Sequence, residues 1–372
     1  MVNAHFWIAC LVTACTTGLL IAILRPLAAP LGLIDHPNDR KQHIGTVPLI
    51  GGLSIFGGIV VGTLFFGGMG PFRTVVIETA AVMAVIGALD DRHDLSVRVR
   101  LAAQSLCVLT VCVATGVHIT TLGHVMDYPL DLGLLGVPVT VVAVIGLLNA
   151  FNLMDGIDGL AGSQALVSVA TLLAFHGHKD LRGTIILVAF LASAAVPYLV
   201  VNLGLTRRKI FLGDAGSMVI GYLLAWALIR LAEAKDSPVG PSDVLWCVAL
   251  PVLDTLAVMG RRVMEGRSPF KADRGHIHHL LMGRGLTARQ TLVTLLGVSV
   301  LFSAFGYIMR GFSSGTSILS FVVLAAAYAT AVVREYHRQT FSLGTTFVPV
   351  VRRAPAHGPK ARVADAEHVL QD

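Results

Sequence analysis

The chain has 372 residues, 55% of them hydrophobic and 13% charged, and carries a net charge of +6. A soluble domain has about 25% charged residues, so the composition excludes a protein that faces water on all sides. The basic excess, judged by where it falls, reports topology and contact with membrane lipids and gives no reason to expect nucleic acid as a partner.

Apolar runs close to the roughly 17–25 residues that cross hydrocarbon recur along the chain. In order they occupy 4–24, 49–68, 74–89, 101–119, 136–154, 160–177, 183–203, 215–233, 244–260, 290–309 and 315–333. They predict an all-α, polytopic membrane protein with about 11 transmembrane helices, one integrated domain over residues 1–333. The third run is short unless it continues into polar residues. With the N-terminus outside, loops 25–48, 90–100, 204–214 and 261–289 and the tail from Arg334 are cytoplasmic, and they hold 22 of the 28 Lys and Arg residues. That bias sets the orientation and places the C-terminus in the cytoplasm. Residues 334–372 read as a polar, mobile tail. The first run has no basic segment before it, so a cleaved signal peptide is not expected. Cys10, Cys15, Cys107, Cys112 and Cys247 all lie in apolar runs and read as small hydrophobes.

Alternating topology brings the polar clusters to one face. The first is "DHPNDRKQHIGTVPLIGG", in which Arg40, Lys41 and His43 are either phosphate contacts or ordinary loop charges. The second is "ALDDRHD". Asp90 and Asp91 end a span there, where negative charge opposes the helix dipole. Carboxylates so close repel unless a cation or proton relieves them, which points Asp90 to metal or proton-transfer chemistry. Neutralisation by Arg92, Arg98 and Arg100 is the competing structural reading, and for Asp94 it stands level.

The third cluster is "NAFNLMDGIDGLAGS". Asn149, Asn152, Asp155 and Asp158 are spaced by three, so on one straight helix they would sweep half the circumference. The glycines Gly156, Gly159 and Gly162 let the chain leave helical geometry. Asn149 and Asn152 then end one span, and Asp155 and Asp158 sit in the turn before the next. The structural alternative makes Asp158 a helix cap. In "FLGDAGS", Asp214 precedes the eighth run, suited to hold Mg²⁺ against a phosphate or simply to cap the helix. In "DRGHIHHLL", His276, His278 and His279 lie among Arg267, Lys271, Arg274 and Arg284. Phosphate or sugar contact, a structural cluster and zinc all remain open, and the basic surroundings favour phosphate.

Hard oxygen donors select Mg²⁺ or Mn²⁺. Together with basic groups on the same face they point to Mg²⁺-dependent phosphoryl or phosphosugar transfer at the membrane boundary. Membrane carboxylates also occur in transporters, but those bury them near mid-span, and no internal repeat supports that reading here.

Taken together, "GTVPLIGG", "GALDDRHDLS", "NAFNLMDGIDGLAG", "FLGDAGS" and "SPFKADRGHIHHLLMGRGLTARQ" resemble the polyprenyl-phosphate N-acetylhexosamine-1-phosphate transferases. The resemblance covers about Pro30 to Gln290 and is strongest to the WecA type. It implies transfer of N-acetylglucosamine 1-phosphate from UDP-N-acetylglucosamine to undecaprenyl phosphate, in the bacterial cytoplasmic membrane, at the start of a cell-surface polysaccharide pathway. Another UDP-N-acetylhexosamine, or UDP-MurNAc-pentapeptide, is the alternative donor. The pentapeptide branch has a lysine where this chain has Asp94, which argues against it. The resemblance further implies that Asp90 and Asp91 act on the lipid phosphate, and that Asp214 and Asn152 hold Mg²⁺ (Mn²⁺ as a substitute). Asp155 and Asp158 would line the uridine-nucleotide pocket, with Asn149 beside them. His276, His278 and His279 would meet the diphosphate or sugar, aided by Arg274, Lys41 and Arg40. A homodimer is allowed for.

Overall fold

The computed structural model describes residues 4–35, 45–125, 128–177, 183–206, 208–268 and 275–344. A long first helix, α1 (Ala4–Leu31), leads into a short ribbon of β1 (Ile34–Asp35) and β2 (Val47–Pro48). Three helices follow: α2 (Gly51–Phe66), α3 (Pro71–His93) and α4 (Val97–Thr115). A second hairpin, β3 (Thr121–Val125) and β4 (Tyr128–Asp131), precedes α5 (Gly136–Met154), α6 (Leu160–His176), α7 (Thr184–Asn202) and α8 (Gly213–Ala232). The remainder is α9 (Pro241–Cys247), α10 (Ala249–Met264), α11 (Ile277–Gly283), α12 (Ala288–Met309) and α13 (Ser314–Gly344).

The protein is thus a helical, multi-pass membrane protein, but not purely α: each hairpin is a two-stranded antiparallel sheet. Where the sequence reads as eleven spans, the described residues hold eight helices long and apolar enough to cross a membrane, or nine if α9 and α10 form one broken span. The other two runs are α2 and α6, of 16 and 17 residues. At 1.5 Å per residue these reach about 24–26 Å, short of roughly 30 Å of hydrocarbon. Glycines at positive φ bound these helices, Gly67 ending α2 and Gly159 and Gly177 enclosing α6. The α9–α10 pair bends by 83° at Val248, and Pro251 sits in the first turn of α10, where its missing N–H costs nothing. The third run does continue into polar residues, through Asp90 and Asp91 to His93. The last helix runs past Arg334 to Gly344.

Helix α8 is the axis of the bundle. Of its membrane-length window 89% is buried, against 17% for α12 and α13. A helix apolar on every side belongs in an interior of this kind. Two glycines bring neighbouring backbones onto it: a Cβ at Gly52 would strike the backbone of Gly216, and one at Gly87 the backbone of Ala215. Small residues at crossing points let membrane helices pack this closely. Both contacts lie at the N-terminal end of α8, next to Asp214.

Candidate active site

The carboxylate of Asp91, on the last turn of α3, accepts the backbone N–H of Asp214 at 2.8 Å and of Ala215 at 3.3 Å. It therefore caps α8 from another helix, satisfying donors that a helix start leaves open. The Asp214 side chain in turn accepts from Nδ2 of Asn152 at 2.6 Å, and the same amide reaches Ser217 Oγ at 3.0 Å. Asp90 is buried, and both of its oxygens are engaged: Oδ1 accepts from Leu95 N at 2.8 Å and Oδ2 from Arg100. The left-handed residue Asp94, at φ 51°, turns the chain so that Leu95 can reach back. Arg100 also lies 3.8 Å from Asp214 Oδ2, so one guanidinium serves both carboxylates.

Asp155 closes α5, and the turn from there to Gly159 holds Asp158. Gly159, at φ 77°, occupies the cap position, so Asp158 is not the cap of α6. Asp158 instead pairs with Lys209 at 2.7 Å. Crowding by protein, then the charges of Asp91 and Asp158, pushes the Asp155 carboxyl up to about 7. Buried Asn202 braces this turn, accepting from Gly159 N at 2.6 Å and donating to Ile210 O at 2.9 Å. Asn149 is not drawn into the group. Its amide donates to Ile145 O at 2.8 Å and approaches Gln104 at 3.5 Å.

The histidine segment reaches the same turn. An added Cβ on Gly156 would strike the His278 ring, so loop and ring are in direct contact. His278 is buried, neither ring nitrogen has a hydrogen-bond partner among the described residues, and burial followed by the neighbouring His279 lowers its pKa to about 3. The His278 and His279 rings lie 4.1 Å apart. His276 is held by Asp254 of α10, with Nδ1 2.8 Å from Oδ2. Arg40, Lys41 and Arg274 lie outside the described residues, as do His43 and Lys271.

The structure therefore joins Asp90, Asp91, Asn152 and Asp214 in one cluster, sets Asp155 and Asp158 beside it, and brings His278 against their turn. Ser217, the last residue of "FLGDAGS", and Arg100, read from the sequence only as a neutralising charge, complete the site together with Lys209, Asn202 and Asp254, which belong to no motif singled out in the sequence. Of these three, Asp254 carries a signal in the sequence, a carboxylate inside an apolar run that must find partners at membrane depth. Among the described residues no three His, Cys, Asp or Glu side chains are arranged to hold a metal.

Fold and site define a multi-pass membrane protein with a carboxylate-rich junction at one end of its helical bundle. Residues 73–232 match the model of glycosyl transferase family 4. Three relatives are each named undecaprenyl-phosphate alpha-N-acetylglucosaminyl 1-phosphate transferase. That of Yersinia pestis is 37% identical over 289 residues, 77% of this chain and 79% of the relative. That of Escherichia coli strain K12 is 38% identical over 296 residues, 78% and 80% of the two chains. That of Haemophilus influenzae is 39% identical over 297 residues, 77% and 82%. The chain belongs to glycosyl transferase family 4, with these transferases.

Proposed function

We propose that the protein transfers N-acetylglucosamine 1-phosphate from UDP-N-acetylglucosamine to undecaprenyl phosphate, releasing UMP. The names of the relatives support the substrates. The observation that carries the reading is the Asp91–Asp214–Asn152 junction, in which the Asp91 carboxylate holds the backbone at the start of a buried helix and the Asn152 amide holds the Asp214 side chain. Asp214 and Asn152 would hold Mg²⁺, or Mn²⁺ in its place. Their hard donors suit such ions, and one or two carboxylates suffice where substrate phosphates complete the shell. The bound ion would neutralise the charge of the diphosphate.

The chain's own residues supply positioning. Asp91 fixes the first turn of α8 and with it Asp214. Asp90, braced by Arg100 and Leu95, faces the incoming lipid phosphate. Asp155 and Asp158 line the nucleotide side, and the histidines the diphosphate and sugar. An oxygen of the lipid phosphate forms a bond to the β-phosphorus, the bridging P–O bond to the α-phosphate breaks, and UMP leaves. A phosphate monoester has a second pKa of about 6, so the nucleophile needs little help in losing a proton. Transfers of this kind depend chiefly on alignment and charge neutralisation.

All eleven apolar runs cross the bilayer in this reading, with α2 and α6 as short spans and α9–α10 as a broken one. The N-terminus is outside and the site faces the cytoplasm, in the cytoplasmic membrane of a bacterium. The test is to incubate the purified protein with undecaprenyl phosphate and a panel of UDP sugars, then identify the lipid product by mass. A diphosphate-linked N-acetylglucosamine is expected. A different N-acetylhexosamine would reassign the donor, and no lipid product from any UDP sugar would end the proposal.

A further inference from the structure

Asp254 belongs to no motif, yet its carboxylate is fully buried and takes three donors from two other helices. Oδ2 accepts from His276 Nδ1 at 2.8 Å, and Oδ1 accepts from Ile277 N at 2.9 Å and from Tyr328 O–H at 3.2 Å. The carboxylate thereby ties α10 to the first residue of α11 and to α13. An acceptor-only partner settles the imidazole: the proton must sit on Nδ1, which leaves Nε2 as the ring's second working nitrogen. That Nε2 is buried, in a residue only 2% exposed, and has no hydrogen-bond partner among the described residues. A buried polar atom left unmade is costly, so the arrangement is explained if a ligand supplies the partner.

We propose that Asp254 is a positioning residue, orienting His276 so that its Nε2 addresses the diphosphate–sugar end of the bound sugar nucleotide. The proposal rests on the reading that a UDP sugar binds here. Carboxylates behind ligating or catalytic histidines act in this way, and their loss typically costs about 10–100-fold. Tyr328 and Ile277 N–H hold the other carboxylate oxygen, so Asp254 cannot rotate away without breaking two bonds.

The test is a double-mutant cycle read by direct binding. UDP-N-acetylglucosamine is titrated calorimetrically into the full-length protein, Asp254→Asn, His276→Gln and the double variant. Asp254→Asn should weaken binding at least about 10-fold, while in the His276→Gln background the same change should add less than about two-fold, because the two side chains act as one. Equal effects in both backgrounds, or unchanged binding by Asp254→Asn, overturn the proposal. A second measurement needs no variant of Asp254: ¹⁵N-histidine spectra of the wild-type protein, with His276 assigned by its loss in His276→Gln, should show a protonated Nδ1. An unprotonated Nδ1 overturns it as well. Tight binding without lipid product would instead overturn the proposed transfer reaction and leave this assignment standing. A wild-type protein that binds no UDP sugar overturns both.

Discussion

Asp91 and Asp214, 123 positions apart, meet through the backbone: the carboxylate of one receives the peptide N–H of the other at 2.8 Å. The end of α3 thus fixes where α8 begins, and where α8 begins fixes the direction of the Asp214 side chain. The paired aspartates are therefore unequal. Asp90 is tied to Arg100 and Leu95, whereas Asp91 is part of the support for the proposed metal ligand.

Removing the junction's oxygen donors should abolish turnover and spare the fold. Asp214→Asn and Asn152→Ala are each expected to lower transferase activity at least about 100-fold, the scale for losing a preorganised charge-stabilising group. Size-exclusion profiles should stay unchanged. Near-normal rates for both at saturating Mg²⁺ would remove these residues from the metal site.

The histidine segment should govern the nucleotide sugar and not the lipid. His278→Ala is expected to reduce the specificity constant for UDP-N-acetylglucosamine by roughly 10- to 150-fold, the value of a hydrogen bond to a charged group, about 1.5–3 kcal/mol. The Mg²⁺ requirement should persist. Steady-state kinetics on both substrates, with elemental analysis, decides it, and stoichiometric zinc lost on substitution would overturn the phosphate assignment.

Asp155 gives a stability signature. Its carboxyl rises from 3.8 in the unfolded chain to about 7 in the fold, so between those values the folded state holds more protons. Stability therefore falls as pH rises through this window. Asp155→Asn, which cannot ionise, should melt with less pH dependence between about pH 5 and 7 than the wild type. Parallel melting curves would show that Asp155 is not the group responsible.

Packing at the axis can be tested where it is tightest. Gly52→Val should destabilise by about 3 kcal/mol or more, because its Cβ meets the Gly216 backbone. Gly70→Ala, where added atoms meet open space, should stay within about 0.5 kcal/mol. Thermal melts in detergent compare them, and equal midpoints would contradict the close approach.

Orientation is open to labelling in a background without the native cysteines. A cysteine at Gly70 should react with an impermeant reagent from outside, and one at exposed Ala288 only after the membrane is opened. The reverse pattern would invert the topology.

Much of this is legible in the amino-acid sequence. The 3.6-residue geometry forbids Asn149, Asn152, Asp155 and Asp158 from converging on one straight helix, and the chain does leave the helix after Met154. Asn152 and Asp214 lie on separate motifs that the bundle joins at 2.6 Å. Less legible was which of the two asparagines turns inward: Asn149 sits about 60° round the helix from Asn152 and bonds its own backbone. Sequence could not show this, because the rotation of α5 is set by its contacts with α4 and α8. Span length was also hidden, since hydropathy continues through Gly67 while the backbone does not. The role of Asp254 is not legible, because its partners His276, Ile277 and Tyr328 come from other elements of the fold.

The enclosure of α8 also bears on biogenesis. The helices that pack most closely on it, α2, α3, α5 and α7, all precede it in the chain, so its main packing partners have been synthesised when α8 is made. Only when its first turn has been made can Asp91 receive the N–H groups of Asp214 and Ala215, and Asn152 find Asp214. The residues C-terminal to Ala232 are made after all the side chains of that junction, so α9 to α13 are not needed for Asp91, Asn152 and Asp214 to meet.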